Sequence, residues 1–450
     1  MGQGLPGTDL QNGSAWPSAR QGWYATILLT FAYTVSFIDR QVLNLLVTPI
    51  QADLGLTDTQ ISLLQGMAFV LTYVLMSVPL GRWVDRSSRV GILAVGVAAW
   101  SLATMACGAA RGYLQLGLAR MGVGAGEATV TPVAWSLLAD YFPPDRLARP
   151  VSVFLMGPYL GAGLALILGA EVIEWTRGVE GVALPWVGEV RPWQLTFIIV
   201  GAPGLLLAAM LLTIREPVRR GTLQAVPTGA VPWSVVWQHA WRHRRVYFAF
   251  LVGVPFNVVL LYGLQSWVPT FLVRVHEWDL PLAGRAYGVV ALVSGSAGVL
   301  AGPVAARWLE SRGRADAPLR IAAWSAGLAS LSAIAGVLQP DAWLSLALIG
   351  VASFWITFPF ALITAALQRV TPNEMRGLVA GVYVVMVSVM GLGLGPTLVA
   401  VLTDSVFQDP AAVGKSLALM FAGVGPLAVL LLASGMSSYA ATLREVESAQ

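Results

Sequence analysis

Apolar segments of about twenty residues recur along the whole chain and are separated by short polar connections. Hydrophobic residues make up 56% of the 450 positions and charged residues only 11%, whereas a soluble domain carries roughly 25% charged residues. Because a helix needs about 20 apolar residues to cross a hydrocarbon core, the pattern predicts an all-α membrane protein with twelve spans. The predicted spans cover residues 22–48, 60–81, 91–110, 113–140, 148–172, 193–214, 245–272, 284–308, 318–338, 343–369, 376–403 and 414–440.

Two of the predicted spans are preceded by capping boxes, in which a Ser or Thr and a Glu or Gln three residues later satisfy each other's backbone N–H groups. Thr57 and Gln60 match this pattern before the second span, and Thr371 and Glu374 match it before the eleventh. These pairs predict where the two helices begin.

Arginine is concentrated in every second connection between the predicted spans. The connections after spans 2, 4, 6, 8 and 10 carry most of it, including Arg86, Arg146 and Arg312, and the alternate connections carry little. Cytoplasmic loops are enriched in arginine and lysine, so both termini are predicted to be cytoplasmic. Usage that is rich in arginine and nearly free of lysine is typical of a bacterium with GC-rich coding, and we expect a multi-pass protein of the cell inner membrane.

Several classes of protein are disfavoured by residues that the chain lacks. The single cysteine provides no disulfide framework or cysteine-built zinc site, and the three histidines follow no metal-binding spacing. No GxxxxGK(S/T) phosphate loop, GxSxG elbow or paired catalytic constellation occurs, and outside one loop no basic stripe with interleaved aromatics indicates nucleic-acid binding. The glycine runs GVGAG and GLGLGP lie inside spans, where glycine permits close helix packing. We therefore expect no metal, no cofactor, no nucleic-acid partner and no enzymatic activity.

The two halves of the chain resemble each other in their connections. Arg82 and Trp83 after span 2 align with Arg307 and Trp308 after span 8, and FPPDRLAR after span 4 aligns with VTPNEMRG after span 10. Duplicated halves are typical of transporters whose site lies between them. The predicted organisation is a cytoplasmic tail at 1–21, a six-helix bundle at 22–214, a cytoplasmic linker at 215–244, a second six-helix bundle at 245–440 and a tail at 441–450.

The linker contains a tryptophan at every fourth position, at Trp233, Trp237 and Trp241. This spacing places the three indole rings on one face of a helix and predicts a short amphipathic helix on the inner leaflet. The alternative is an ordinary linker with scattered tryptophans.

Two predicted spans contain charges near the membrane centre: Asp39 and Arg40 in span 1, and Arg120 and Glu127 in span 4. Each such charge costs about 2.5–3.5 kcal/mol on insertion scales, so these residues need partners or a function. At ~1.5 Å per residue Arg120 and Asp39 lie at similar depths. Side chains lean toward the N-terminus of their own helix, which directs Arg40 and Glu127 toward each other. We predict proton-linked gating, in which separation of the ion pair favours proton uptake. The alternative is a permanent ion pair that only holds spans 1 and 4 together.

Polar and aromatic residues of the second half are candidates for a substrate cavity. A charged side on spans 1 and 4 that faces an aromatic side on spans 7 and 10 would suit a molecule with a polar head and an apolar tail. The alternative is that most of these aromatic side chains pack against helices or lipid. The candidate cavity residues are Tyr33, Asn257, Tyr262, Gln265, Phe354, Phe358 and Tyr383.

A cytoplasmic gate is predicted around the connection between spans 2 and 3. The Asp85 carboxylate could accept hydrogen bonds from the start of span 11, at residues 373–377, where helix N–H groups carry partial positive charge. Such a contact would latch the two halves on the cytoplasmic side. The alternative is a solvated loop whose charges only set the topology. The candidate gate residues are Gly81, Asp85, Arg86, Arg89 and Arg146.

Several motifs resemble those of the major facilitator superfamily. GRWVDRSSR is similar to the family's signature loop between spans 2 and 3, RMGVGAGEA to its arginine-and-glycine motif, and GPYLGAG to its proton-antiporter motif. FIDRQVL, GRWVDRSSR, RMGVGAGEA and DYFPPDRLAR together resemble the Spinster branch, which includes sphingolipid and lysolipid transporters. In the signature loop Gly81, Asp85, Arg86 and Arg89 match the pattern, and Ser88 and Val90 depart from it.

This resemblance implies the major facilitator fold, with two pseudo-symmetric six-helix bundles that rock to give alternating access. It also implies a lipid-like substrate and coupling to protons. The expected partners are a small amphipathic substrate, protons and membrane lipid, and we expect a monomer. The alternatives are a proton-coupled antiporter or symporter of small organic or drug-like molecules, a membrane sensor that binds a ligand without moving it, and a membrane enzyme.

Overall fold

The structure is a computed structural model that is almost entirely helical and describes residues 16–84, 86–143, 146–178, 181–184, 188–219 and 233–449. The N-terminal half contains α1 (Ala19–Leu45), α2 (Val47–Leu54), α3 (Asp58–Gln65), α4 (Met67–Val84), α5 (Arg89–Ala109), α6 (Tyr113–Glu127), α7 (Val130–Tyr141), α8 (Ala148–Phe154), α9 (Gly157–Trp175), the strands β1 (Val182–Leu184) and β2 (Gly188–Val190), and α10 (Pro192–Leu211). The linker contains α11 (Trp233–Arg242).

The C-terminal half contains α12 (Arg244–Phe248), α13 (Val254–Val275), α14 (Leu280–Glu310), α15 (Ala317–Val337), α16 (Ala342–Thr357), α17 (Phe360–Arg369), α18 (Arg376–Met386), α19 (Gly395–Val401) and α20 (Val413–Ala449). Short π-helical segments at Ala249–Gly253, Val387–Leu394 and Leu402–Phe407 continue neighbouring helices, and 3-10 turns lie at Asn373–Met375 and Pro410–Ala412.

Ten helical stretches within the described residues are long and apolar enough to cross a membrane. They correspond to every predicted span except the first and the fourth. Span 1 corresponds to α1, which has 27 residues and therefore measures about 40 Å at ~1.5 Å per residue. Span 4 corresponds to α6 followed by α7. These two stretches contain the charged residues Asp39, Arg40, Arg120 and Glu127.

Capping boxes fix the start of two helices in the N-terminal half. Ser18 and Gln21 form one at α1, and Thr57 and Gln60 form the predicted one at α3. At α3 the Thr57 hydroxyl accepts from the Gln60 N–H at 3.2 Å, and the Gln60 side chain accepts from the Thr57 N–H at 3.0 Å. Two N–H groups that the helix leaves free are thereby satisfied.

The capping box predicted at Thr371 is wrong. The Thr371 hydroxyl instead donates to the carbonyl oxygen of Leu367, one turn earlier in α17, at 2.7 Å. The chain then passes through the 3-10 turn Asn373–Met375, and α18 begins only at Arg376. The threonine hydroxyl thus satisfies the end of one helix rather than the start of the next.

The two halves pack mainly within themselves and meet along a few helices. In the N-terminal half α1 packs against α9 and α5 against α10, and in the C-terminal half α13 and α15 pack against α20. Across the halves α9 packs against α14, α1 against α13 and α3 against α19. One hydrophobic core continues from Leu45 and Leu166 of the first half into Trp267 and Tyr287 of the second.

Glycines in the two glycine runs permit close contacts between helices. A Cβ atom at Gly124 in α6 would lie 2.3 Å from the carbonyl oxygen of Phe69 in α4. A Cβ atom at Gly391 would lie 2.4 Å from the Val258 side chain in α13. A side chain at either position would force the helices apart, so the glycines serve helix packing.

The longer connections contain short structured elements. Strands β1 and β2 form an antiparallel hairpin between α9 and α10 in which Val182 pairs with Val190. This hairpin was not predicted from the sequence. Helix α11 lies within the predicted linker, and Trp237 and Trp241 on it are exposed.

Candidate functional site

A buried ion pair joins α1 to the end of α6. The Arg40 guanidinium lies 2.5 Å from a Glu127 carboxylate oxygen, and the Ser36 hydroxyl donates to the same oxygen at 2.7 Å. The Glu127 side chain is fully buried and the Arg40 side chain is 10% exposed. The guanidinium also lies over the rings of Phe69 and Phe37, at 4.3 and 4.4 Å from their centroids. The pairing of Arg40 with Glu127 that helix geometry predicted is therefore present.

Arg120 holds the same part of α1 through its backbone. This fully buried arginine donates to the carbonyl oxygens of Asp39 at 3.1 Å, Arg40 at 3.2 Å and Leu64 at 3.3 Å. Arg120 is therefore beside Asp39, as expected, but its hydrogen bonds go to backbone oxygens rather than to the Asp39 carboxyl group. Its charge is satisfied by helix carbonyls of α1 and α3.

The Asp39 carboxyl group is the least satisfied polar group of the cluster. Asp39 is 0% exposed, and neither carboxyl oxygen has a hydrogen-bond partner among the described residues. The Trp100 indole and the Thr104 hydroxyl of α5 face it without reaching hydrogen-bond geometry. A carboxyl group in such surroundings is far less costly to bury neutral than charged.

Tyrosine side chains from both halves lie near the Arg40–Glu127 pair. Tyr159 of α9 lies among Tyr33, Tyr262 and Tyr383, which come from both halves. Tyr33 also stacks on Phe154, with ring centroids 4.7 Å apart. The structure thus brings together three of the predicted cavity residues. The sequence did not single out Tyr159, although it lies in the GPYLGAG stretch that was noted for another reason.

The remaining predicted cavity residues have different positions. The Gln265 side chain accepts a hydrogen bond from Gln41 at 2.9 Å. This bond joins α13 to α1 at the residue that follows Arg40. Asn257 is only 2% exposed and donates to the carbonyl oxygen of Ile356, which places it between α13 and α16. Phe358 is 8% exposed, packs against Phe354, and lines a cavity of about 520 Å³ on the outer surface of the C-terminal half. Asn257 therefore joins α13 to α16, Phe358 lies beside Phe354 at the end of α16, and their role in a cavity stays a prediction.

The predicted gate residues separate into two groups. Asp85 lies outside the described residues, so its contact with the start of span 11 stays a prediction. Gly81 is half-buried, and Arg86 and Arg146 are exposed. Arg89 is 0% exposed, which excludes a solvated loop at this position.

Arg89 organises a buried charge network within the N-terminal half. It pairs with Asp140 of α7 and donates through Nε to Glu216 at 2.7 Å. Glu216 also accepts from the Ser88 hydroxyl at 2.8 Å and from the Val90 N–H at 3.1 Å, so its carboxylate caps α5. The segment after α10 therefore folds back over the connection between α4 and α5. Glu216 was missed in the sequence because nothing in its neighbourhood marks a residue that returns to a distant helix start.

We expect Glu216→Gln to lower the melting temperature by a few degrees at neutral pH. Burial opposes ionisation of the Glu216 carboxyl group, but hydrogen bonds from the Arg89 side chain and from nearby backbone N–H groups outweigh it and lower its pKa. A lowered pKa stabilises the fold above the ordinary glutamate pKa, and this stability is lost as the pH falls through the lowered value. The difference in melting temperature between wild type and variant should therefore shrink in acid.

Thermal unfolding in detergent, followed by tryptophan fluorescence across a pH series, measures this difference. Glu374→Gln, which changes an exposed glutamate, is the control and should match wild type at every pH. A Glu216→Gln deficit that stays constant into acid would contradict the assignment of the stability to the ionised carboxylate.

A second polar cluster joins the two halves in the region where α1 ends and α3 begins. We call this region the closed end. Arg274 of α13 donates to both carboxylate oxygens of Asp58, at 2.7 and 2.8 Å, and to Gln51 at 2.7 Å. Asp404 accepts from both the N–H and the hydroxyl of Thr59 at 2.7 Å. The hydrogen bonds from Gln41 to Gln265 and from Thr59 to Asp404 and the Asp58–Arg274 pair join the halves between this end and the level of Arg40.

Comparison of the sequence with known proteins identifies relatives that are membrane transporters. Residues 29–396 match the sequence profile of the Major Facilitator Superfamily. An MFS-type efflux pump of Mycolicibacterium smegmatis is 28% identical over 90% of each chain. A probable L-galactonate transporter of Escherichia coli is 28% identical over 74% of this chain and 73% of its own.

A solved structure gives the same result for the whole fold. The crystal structure of a bacterial homologue of the human lysosomal transporter Spinster, in an inward-facing and unoccupied conformation, is 26% identical to this chain. It aligns with a TM-score of 0.76 over 95% of this chain and 98% of its own. These relatives are transporters and not enzymes. The chain therefore belongs to the major facilitator superfamily of membrane transporters.

Proposed function

We propose that this transporter is a proton-coupled secondary carrier of an amphipathic, lipid-like substrate of the lysophospholipid or sphingolipid class, in the inner membrane of a bacterium. The observation that carries the proposal is the contrast between two buried carboxyl groups at α1. Glu127 is paired with Arg40, whereas the Asp39 carboxyl group has no hydrogen-bond partner among the described residues. A carrier that binds and releases a proton needs a carboxyl group whose pairing can change.

The proposed topology has twelve spans, in six-helix bundles at 22–214 and 245–440, with both termini in the cytoplasm. The ten apolar helical stretches, the length of α1 and of α6 with α7, and the arginine distribution support it. In this topology the closed end faces outward and the interior opens to the cytoplasm. The likeness to the inward-facing Spinster homologue supports the same assignment.

Alternating access supplies the change of environment that proton binding requires. A shift of α1 against α6 that separates Arg40 from Glu127 leaves a carboxylate without its counter-charge in a poorly solvated interior, where proton uptake is favoured. A shift that lets Arg120 exchange a backbone oxygen for the Asp39 carboxyl group favours proton release there. Each protonation state then stabilises one conformation of the carrier.

An amphipathic substrate fits the chemistry of the interior. Arg40 and Glu127 supply charge on one side, and Tyr33, Tyr159 and Tyr262 supply aromatic surface beside them. Tyrosine combines an apolar ring with a hydroxyl at its tip, so the same wall can contact an acyl chain and hydrogen-bond a headgroup. The Arg40 guanidinium is suited to a phosphate or carboxylate.

The second candidate is a proton-coupled antiporter or symporter of small organic or drug-like molecules. Gln41, Asn44 and Gln265 form a hydrogen-bonded amide cluster beyond Arg40, and such groups suit a small polar solute. The efflux pump and the probable L-galactonate transporter among the relatives favour the same class.

Flux into proteoliposomes with imposed pH gradients tests both candidates. A panel of lysophospholipids, sphingoid bases, cationic drugs and sugar acids is offered to the purified protein, and we expect gradient-dependent flux of the lipid-like compounds. Flux of sugar acids or drugs alone would favour the second candidate. Absence of counterflow for every compound would indicate a sensor that binds without transport.

We expect Asp39→Asn to abolish the dependence of transport on the pH gradient while substrate counterflow persists. Asparagine has the shape of the protonated carboxyl group but cannot exchange a proton, so accumulation should fall to the equilibrium level. Asp341→Asn is the matched control, because Asp341 caps α16 outside the charge cluster and asparagine caps equally well. Unchanged gradient dependence in Asp39→Asn would remove Asp39 from the mechanism.

A further inference from the structure

Helix α11 forms one wall of a groove on the outer surface of the C-terminal half. The groove has a volume of about 420 Å³ and lies between α11, the start of α12 with its π-helical continuation, and α20. Trp237, Trp241, Phe248 and Leu251 line it together with Arg244 and Arg245. Because a water molecule occupies roughly 30 Å³, the groove has room for a string of methylene groups.

Residues at the end of α11 contact the last helix, α20. Arg242 pairs with Glu445 of α20 at 2.7 Å, and the His243 imidazole lies 3.1 Å from the Thr442 hydroxyl. Val236 of α11 is 5% exposed and belongs to the core of the C-terminal half. Helix α11 therefore packs on the C-terminal half through Val236 and exposes Trp237 and Trp241.

The exposed aromatic surface lies where the membrane boundary is expected. Trp237 and Trp241 stack with ring centroids 5.8 Å apart, yet they are 64% and 61% exposed, and Phe248 is 50% exposed. Contiguous exposed apolar surface marks an interaction site, and tryptophan is enriched at membrane–water interfaces. Arg244 begins the apolar stretch that is long enough to cross the membrane, so the groove starts at that boundary.

The groove contains two neighbouring arginines, Arg244 and Arg245. Among the described residues neither Arg244 nor Arg245 forms an ion pair, whereas the neighbouring Arg242 does. Leu251 follows Arg244 by seven positions, so the apolar floor extends about 10 Å from the guanidinium groups at ~1.5 Å per residue. Two uncompensated cations at one end and an apolar floor at the other match a phosphate headgroup with its acyl chain.

We propose that this groove binds one anionic phospholipid of the surrounding bilayer. The phosphate lies at Arg244 and Arg245, and one acyl chain follows Phe248 and Leu251 into the membrane. Trp237 and Trp241 cover the glycerol region. The site is separate from the interior cluster at Arg40 and does not depend on what the carrier transports.

Native mass spectrometry of the purified full-length protein tests the site with phosphatidylglycerol and phosphatidylcholine as probes. We expect the first bound lipid to be phosphatidylglycerol. The double variant Arg244→Gln with Arg245→Gln should lower its retention about tenfold or more, because each arginine near the lipid phosphate strengthens lipid binding through its charge. The matched control, Arg20→Gln with Arg314→Gln, removes the same charge from exposed arginines elsewhere and should retain the lipid. Leu251→Trp, which narrows the groove and keeps both arginines, should also lower retention.

Three results would overturn the proposal. The first is equal retention of phosphatidylglycerol by wild type and the double glutamine variant. The second is full displacement of the lipid by inorganic phosphate, which would make the site one for a free anion. The third is a dimer in detergent that the same double variant dissociates, which would place a second copy of the chain on the groove.

Discussion

Glu127→Gln is expected to abolish gradient-driven transport and to lower the free energy of unfolding by about 3–5 kcal/mol, the usual cost of removing one partner of a buried ion pair. The Glu127 carboxylate accepts from Arg40 and Ser36 in an interior where its own side chain is fully buried. After the substitution Arg40 keeps its charge but loses its counter-charge. Flux in proteoliposomes and thermal unfolding in detergent measure the two effects on the same preparation.

The double variant Arg40→Met with Glu127→Leu separates function from stability. Apolar replacements of both partners in a buried pair often preserve or raise stability, and an unbranched methionine keeps contact with the rings of Phe37 and Phe69 that now flank Arg40. We expect the double variant to regain most of the stability that the single variant loses and to remain unable to concentrate substrate. Gradient-driven transport by the double variant would mean that the pair is only a structural contact.

The Arg40–Glu127 pair was predictable because it depends on quantities that a sequence contains. The apolar segments fix which helices run in opposite directions, the rise per residue fixes depth, and the lean of side chains along a helix fixes which groups approach. Opposite charges at matching depth in apolar surroundings have few other partners. The same reasoning placed Arg120 at the correct depth beside Asp39.

The hydrogen bonds of Arg120 were not predictable in this way. Its guanidinium donates to carbonyl oxygens of α1 and α3 rather than to a carboxylate. Every residue carries a carbonyl oxygen, so a sequence does not reveal which of them a buried arginine selects. That choice depends on how closely the helices pack, and at Gly124 α6 approaches the α4 backbone too closely to admit a Cβ atom without a shift.

Contacts between distant segments were also missed. Glu216 returns to cap α5, and Arg274 meets Asp58 across the two halves. In the sequence each of these residues stands beside a helix end and is indistinguishable from a solvated surface charge. Only the three-dimensional arrangement of the halves determines that they are brought together and withdrawn from water.

Arg274→Ala is expected to shift the equilibrium between the carrier's conformations by about 30-fold or more. The favoured conformation is the one in which the two halves are separated at the closed end. The Asp58 and Arg274 side chains are 3% and 14% exposed, and truncating one partner of a desolvated, hydrogen-bonded charge pair costs about 2–5 kcal/mol. The cost applies only to the conformation in which the halves meet at this end, and ~1.4 kcal/mol corresponds to a factor of ten. Ser62→Cys, whose position is 0% exposed at this interface, reports the shift through its reactivity with a membrane-impermeant maleimide.

The background and the control for this experiment are both present in the chain. The native Cys107 is 0% exposed, so labelling should come from the introduced cysteine. Arg177 also joins the halves at the closed end, through Asp279 at 2.8 Å, but its side chain is 57% exposed, and exposed pairs contribute about 0–1 kcal/mol. Arg177→Ala should therefore leave the labelling rate nearly unchanged. Equal acceleration by the two variants would mean that the buried position of the Asp58–Arg274 pair does not decide which conformation prevails.

The same substitution should slow net transport although it removes no contact with substrate. A carrier cycles fastest when its two conformations have similar free energies, because a strongly favoured state makes the return step slow. Loss of Arg274 destabilises one conformation and so lengthens the step that re-forms it. Lysine at this position keeps one ionic contact but not the bidentate geometry, so Arg274→Lys should be intermediate in both labelling and flux. A lysine variant as impaired as the alanine variant would show that the paired geometry, rather than the charge, closes this end of the carrier.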